Sequence, residues 1–171
     1  MLIRGCKMNF ISTRGGEETV LSSQAIIKGI ANDGGLYVPN EFPNIYDNLK
    51  KKMGLSYIEL AYEVIKEFFG DIGEENLKGV INRAYNGKFS VREEKNFLEL
   101  YHGPTSAFKD AALLFLPQVM KEAKKLNNIK EEIIILTATS GDTGKAALQG
   151  FSNVDGFKSA HGQQHLAQVL G

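Results

Sequence analysis

The sequence has no tryptophan, one cysteine, no surplus of charge of either sign and no long apolar run. Each absence excludes a class. A lone thiol, Cys6, cannot close an internal disulfide, so a disulfide-stapled secreted domain is excluded. Twenty Lys+Arg against twenty Asp+Glu give a formal net charge of zero, which removes the electrostatic footprint of a nucleic-acid binder or of a protein drawn to an anionic membrane. No apolar stretch approaches the roughly 20 residues of a membrane span. No h-region of about 7–15 apolar residues follows Arg4 and Lys7, which argues against a signal peptide. Internal repeats and low-complexity tracts are also missing. The expectation is a cytoplasmic globular protein without nucleic-acid or membrane partners.

What is present reads as two regions. In the first, residues 8–12 are expected to be extended, and Ser22 or Ser23 to cap a helix running to about Ala31. Asn32-Asp33-Gly34-Gly35 is a turn signal, followed by a short strand that stops at Pro39. A polar helix is predicted over 45–53. Ser56 and Glu59 make a capping-box pattern ahead of a helix whose stripe Ile58, Ala61, Tyr62, Ile65, Phe68 and Phe69 reads as core, with Gly70 as its stop. A further helix is predicted over 74–85.

After residue 90 the pattern changes. Residues 97–101 read as a strand, 102–107 as a loop, and 108–126 as a helix that Pro117 should kink or break. Residues 132–138 run β-branched without alternation, the pattern of a strand buried on both faces. A helix follows from Lys145 to about Phe151. Strand–helix–strand–helix over 97–151 predicts a parallel βαβ unit and an α/β fold.

Two loops in this region carry chemistry, and both lie where a strand hands over to a helix, the place where open α/β sheets bind ligands. The first is residues 102–110 (HGPTSAFKD), the second residues 137–144 (TATSGDTG). Their glycines, hydroxyls and helix-opening N–H groups suit a carboxylate or a phosphate. Lys109 sits in the first turn of its helix, where the macrodipole disfavours the ammonium form and so favours a nucleophilic amine. A solvated surface lysine paired with Asp110 gives the same pattern. Gly144-Lys145 mimics a P-loop, but Thr139 stands where the Walker glycine belongs and Ala146 where Ser or Thr belongs. His161 and His165 are spaced for zinc on a helix, yet Asp155 is the nearest acid, so no metal site is expected.

These two loops, with STRG at 12–15 and ANDGGLYVP at 31–39, resemble the threonine synthase family of fold-type II pyridoxal-phosphate (PLP) enzymes, in the family's order and over about residues 8–156. The loop motifs recur across fold-type II enzymes; the N-terminal pair narrows the resemblance. It implies that Lys109 carries PLP covalently and moves protons at the substrate's Cα and Cβ. It implies that Ser140, Gly141 and Asp142 face the cofactor, with Asp142 where relatives often have Asn. Ser106, Thr139, Ser140 and Thr143 would then contact the substrate, with Thr105 and Phe108 as pocket neighbours. The implied reaction converts O-phospho-L-homoserine and water to L-threonine and phosphate, the last step of threonine biosynthesis. His102 could approach the substrate or order its loop, and Ser12, Thr13 and Arg14 could reach the site or only fix the N-terminal strand.

The resemblance divides the chain into a helix-rich N-terminal region at 1–95, the start of the PLP domain and its first βαβ unit at 96–156, and a tail at 157–171. The family's order continues with another apolar strand after Gly156, whereas FKSAHGQQHLAQVLG stands there. That tail is expected to form a weak helical turn or stay disordered, as in a truncated chain. The family's glycine-rich phosphate loop and the hydroxyl that faces the pyridine nitrogen come later in its order. Two alternatives therefore stand beside the enzyme: a non-catalytic truncated product, or another fold-type II enzyme such as a serine/threonine dehydratase.

Overall fold

A computed structural model describes residues 8–16, 18–139 and 141–161. Cys6, Ser140, His165 and most of the 157–171 tail lie outside the described residues. The chain divides into two compact units, residues 1–79 with 122–129, and residues 80–121 with 130–171.

In the first unit, β1 (Asn9–Ser12), β2 (Thr19–Leu21) and β3 (Tyr37–Pro39) form an antiparallel sheet in the order β2-β1-β3, with Phe10 opposite both Val20 and Pro39. The STRG and NDGG segments are one latch. The buried Ser12 hydroxyl donates to Asp33 Oδ1 at 2.6 Å, and the same carboxylate accepts the N–H groups of Gly35 (2.9 Å) and Gly16 (3.1 Å). Arg14 donates to the Asp33 carbonyl at 3.1 Å, and Thr13 Oγ1 accepts from Leu36 N at 3.0 Å. Gly34 turns the chain at φ +80°, a left-handed conformation that glycine enters without Cβ strain. Ser12, Thr13 and Arg14 thus tie the N-terminal strand to its turn.

The Ser12 hydroxyl, then the Gly35 N–H, hold the Asp33 carboxyl below the usual carboxylate range. A lowered folded value means stability that is present above the unfolded value of about 3.9 and lost as pH falls through the folded value. The melting-temperature gap between the wild type and Asp33→Asn is therefore expected to be widest near neutral pH. It should close below about pH 4; thermal melts across that range check it, and a constant gap would contradict it.

Helix α1 (Ser22–Lys28) is shorter than expected, because Gly29 at φ +71° ends it and leaves Ile30 62% exposed. Its cap also comes from elsewhere. Asp71, in the 3-10 turn Gly70–Ile72, accepts from the Ser22 hydroxyl and from Ser23 N (3.0 Å). Helix α2 (Tyr46–Lys50) lies within the predicted 45–53. Helix α3 (Tyr57–Ile65) opens with the expected capping box, Ser56 N donating to Glu59 at 2.8 Å and Glu59 N to Ser56 Oγ at 3.4 Å. Its stripe is only half-buried, which corrects the reading of 58–69 as core. Lys66 and Lys78 lay their amines over the Tyr62 ring, at 5.4 and 5.3 Å, so charged side chains with long apolar stems take over part of the cover. Helix α4 (Glu74–Tyr85), with the predicted bounds, buries Leu77, Val80, Ile81 and Ala84 along one face.

In the second unit, β4 (Ser90–Glu94) and β5 (Phe97–His102) form an antiparallel hairpin closed by Lys95-Asn96, with Lys95 at φ +57°. The parallel unit is β6 (Ile133–Thr137), α7 (Asp142–Phe151) and β7 (Phe157–His161), in register from Ile133↔Phe157 to Thr137↔His161. The α/β class with a βαβ unit holds, but the 97–101 strand pairs within the hairpin, and the unit is the crossover after it. The start of the tail is therefore a strand, not a helical turn. Phe157 and Ala160 are buried, the Phe157 ring lies 5.3 Å from that of Phe151, and Lys158 pairs with Glu132 at 2.8 Å. Strand β6 is also not covered on both faces among the described residues: Ile134 and Leu136 are 39% and 56% exposed. Between hairpin and β6 the predicted single helix is two, α5 (Asp110–Leu113) and α6 (Phe115–Leu126). The break falls at Leu114, so that Pro117 occupies the first turn of α6, where its missing N–H costs no helical bond. Among the described residues no helix is long and apolar enough to cross a membrane.

Candidate active site

The first loop leaves β5 and is built around a buried carboxylate. Asp110 is 1% exposed, accepting Thr105 N at 2.8 Å on one oxygen and the Thr105 hydroxyl at 2.7 Å on the other. Gly103 makes room for it: a Cβ at 103 would stand 2.5 Å from Asp110 Oδ2 and 2.8 Å from its Cβ. Asp110 is therefore engaged with its own loop, and the pairing of Lys109 with Asp110 does not form. Between these anchors Ser106 is forced to φ +57°, with its N–H donating to Gly103 O at 3.1 Å. A left-handed non-glycine residue costs on the order of 1–3 kcal/mol and persists only where its surroundings over-determine it.

Lys109 caps α5 with its backbone, its carbonyl accepting Leu113 N at 2.9 Å. Its amine lies 4.9 Å from the centre of the Phe108 ring, and no carboxylate among the described residues is within ion-pair distance. That is an amine kept available, half-buried against an aromatic face. His102 is turned elsewhere: its Nε2 meets Glu99 at 2.7 Å and its ring packs 4.6 Å from Tyr101. The Tyr101 hydroxyl first, then His102, hold the Glu99 carboxyl below its ordinary value. These contacts tie His102 to the end of its own strand.

The second loop leaves β6. Thr139 Oγ1 accepts Gly144 N at 2.8 Å, so it caps α7 from two residues before the helix's own cap, Gly141. Thr139, Gly141, Asp142 and Thr143 are all exposed, with Asp142 in the first turn. The two loops adjoin. Lys145, in the first turn and a half of α7, donates to the Thr105 carbonyl at 3.3 Å. Farther along, α7 packs so closely on α5 that a Cβ at Gly150 would overlap the Leu113 carbonyl. Sequence reasoning singled out Lys109 and the second loop but did not read the supporting roles of Asp110, Gly103, Lys145 and Gly150. A small residue opposite a carboxylate seven positions away is a weak signal, and the Lys145 bond spans forty residues.

A cleft of about 670 Å³ opens beside the first loop, walled by His102, Gly103, Pro104, Leu114, Gln118 and Gln149 among others. Lys109 and the exposed residues of the second loop do not line it. Among the described residues no group of three or more His, Cys, Asp or Glu could hold a metal.

Comparison with known proteins gives these loops a context. A family profile described as threonine synthase N terminus matches residues 9–85. Threonine synthase of Schizosaccharomyces pombe is 35% identical over 161 residues, covering 84% of this chain and 31% of its own length. That of Pseudomonas aeruginosa is 36% identical over 159 residues, covering 86% and 33%. The chain thus spans about a third of the length of these relatives. The structure of PLP-bound threonine synthase from Brucella melitensis is similar with a TM-score of 0.81 at 35% identity, over 90% of this chain and 35% of that one. Yeast threonine synthase gives 0.77 at 31% identity, over the same shares. In sequence and in fold, the chain corresponds to the N-terminal portion of the threonine synthase family of fold-type II PLP-dependent enzymes.

Proposed function

We propose that the chain supplies the lysine and the second loop of a PLP-dependent threonine synthase, which converts O-phospho-L-homoserine and water to L-threonine and phosphate. The single observation that carries this reading is Lys109: an amine without a carboxylate partner among the described residues, held on a strained loop beside the second strand-to-helix loop. The donor set fits the group. A lysine amine can join an aldehyde, and the exposed Gly141 and Thr143 at the mouth of α7 offer N–H and hydroxyl donors to a substrate carboxylate, with the Asp142 carboxylate beside them as an acceptor for a ring hydroxyl. PLP, when bound, supplies an electron sink for charge that develops at the substrate carbons.

The protein's own residues then have separate tasks. Lys109 would hold the cofactor and, once released from it, would take a proton from Cα and one from Cβ and return protons to Cγ and Cα. Phosphate leaves from Cγ, and the oxygen of water is added at Cβ. Thr143 and Ser106 orient the substrate, and Thr139 fixes the helix mouth that receives it. Ser140 belongs to the same set by its place in the motif.

The test is to add PLP to the 171-residue chain, reduce with borohydride and map the modified peptide by mass spectrometry. Stoichiometric modification at Lys109 is expected. Labelling scattered over many lysines, or none, would overturn the assignment. Phosphate release from O-phosphohomoserine by the labelled-competent protein separates this reading from a dehydratase, which would turn over serine or threonine instead.

A further inference from the structure

We propose that Lys145 is a positioning residue, a clamp from the second loop's helix that fixes the peptide bond between Thr105 and Ser106 and through it the placement of Lys109. Both polar groups of that peptide have a partner. The Thr105 carbonyl accepts from Lys145 Nζ at 3.3 Å, and the Ser106 N–H donates to Gly103 O at 3.1 Å. Thr105 itself is 5% exposed, and its N–H and hydroxyl are both taken by Asp110. With its oxygen held from one side and its N–H from the other, the peptide plane resists rotation. A fixed plane is what keeps Ser106 at φ +57°, three residues before Lys109.

Asp110 and Gly103 belong to the first loop and hold it from within. Lys145 reaches the same loop from the second loop's helix, through its bond to the Thr105 carbonyl. It therefore couples the two loops: the helix whose mouth faces the ligand also sets the turn that presents the amine. This gives a role to a lysine that follows Gly144 without the rest of a Walker pattern. Its donor is a cation, which bonds a carbonyl more strongly than a neutral group does. Lys145 is itself exposed, so removing its amine leaves no buried charge and no cavity.

The inference rests on the PLP reading only in its last step, and two measurements separate the two. In the 171-residue chain, Lys145→Met is expected to raise amide exchange at Thr105 and Ser106 about tenfold, the scale of one charge-assisted hydrogen bond, with the amides of α6 unchanged. Lys145→Arg, which keeps a donor, should stay within about twofold of the wild type. Exchange in Lys145→Met at the wild-type rate, or Lys145→Arg as fast as Lys145→Met, overturns the clamp. The second measurement is borohydride-trapped PLP at Lys109, expected to fall about tenfold in Lys145→Met and to recover in Lys145→Arg. Faster exchange with undiminished trapping would leave a local bond and overturn the positioning role. If the wild type is not trapped at Lys109, the cofactor reading fails, and the exchange measurement still decides the clamp.

Discussion

Lys109→Ala is expected to eliminate site-specific capture of PLP while leaving the fold intact. The two halves of this expectation have different causes. Covalent capture needs a primary amine at that position, and the lysines of the helices that follow are committed or covered: Lys145 donates to the Thr105 carbonyl, Lys121 to Asp155 at 2.7 Å and Lys125 to Glu122 at 2.9 Å, and Lys124 is buried. Trapping at the 103–110 peptide should therefore fall to zero, with only diffuse modification of surface lysines left. The fold should survive, because among the described residues the Lys109 side chain makes no hydrogen bond and its contact is the Phe108 ring. A cation–π contact of this kind contributes about 0.5–1 kcal/mol, within the range of an ordinary surface substitution. The backbone carbonyl that starts α5 is untouched, and alanine accepts the right-handed conformation found there, φ −63°. The measurement is peptide mapping after borohydride, paired with a denaturant titration. Retained labelling at the same peptide by another lysine would contradict the assignment. A collapse of stability would show that the side chain does more than wait for a ligand.

The features legible in the sequence are those whose causes are local. The Ser56–Glu59 capping box, the bounds of α4 and the glycine-marked strand-to-helix loops each depend on residues a few positions apart, and all of them form. Features that depend on a distant partner were read less well. Ser22 looks like its own cap, yet Asp71 from about fifty residues on does the capping. Strand β6 looks doubly buried from its run of isoleucines, but how much of it is covered depends on its neighbours, and the neighbour described is β7 alone. Strand β7 was hidden because its polar residues, Lys158 and Ser159, alternate in pairs with buried Phe157 and Ala160 and do not keep a clean period of two. At the candidate site, Lys109 and the second loop stood out in the sequence because chemistry restricts the residue types of such loops. The supporting residues were not, because an aspartate that receives two bonds from a threonine five positions back looks, in sequence, like any helix-opening acid.

That aspartate is where the largest stability effect is expected. Asp110→Ala removes an almost fully buried acceptor and strands two donors, the Thr105 N–H and hydroxyl. Each buried polar group left without a partner costs about 1–3 kcal/mol. The hydroxyl can rotate toward another acceptor and the amide cannot, so a total loss of about 2–4 kcal/mol is expected. This is a large part of the 5–15 kcal/mol typical of a folded domain. Gly103→Ala should reach the same structure from the other side, since its new Cβ would stand 2.5 Å from Asp110 Oδ2 and 3.0 Å from its carboxyl carbon. The methyl group can be accommodated only if the carboxylate swings away, and then Thr105 loses the same two bonds. Because both changes break one network, their costs cannot add. The double variant Gly103→Ala/Asp110→Ala should be less destabilised than the sum of the two single variants by at least about 1 kcal/mol, the coupling expected of residues that share a partner. Denaturant midpoints at constant slope measure all three. Additive losses would mean that glycine 103 is required for its own backbone, and that the buried carboxylate is not what the loop is built around.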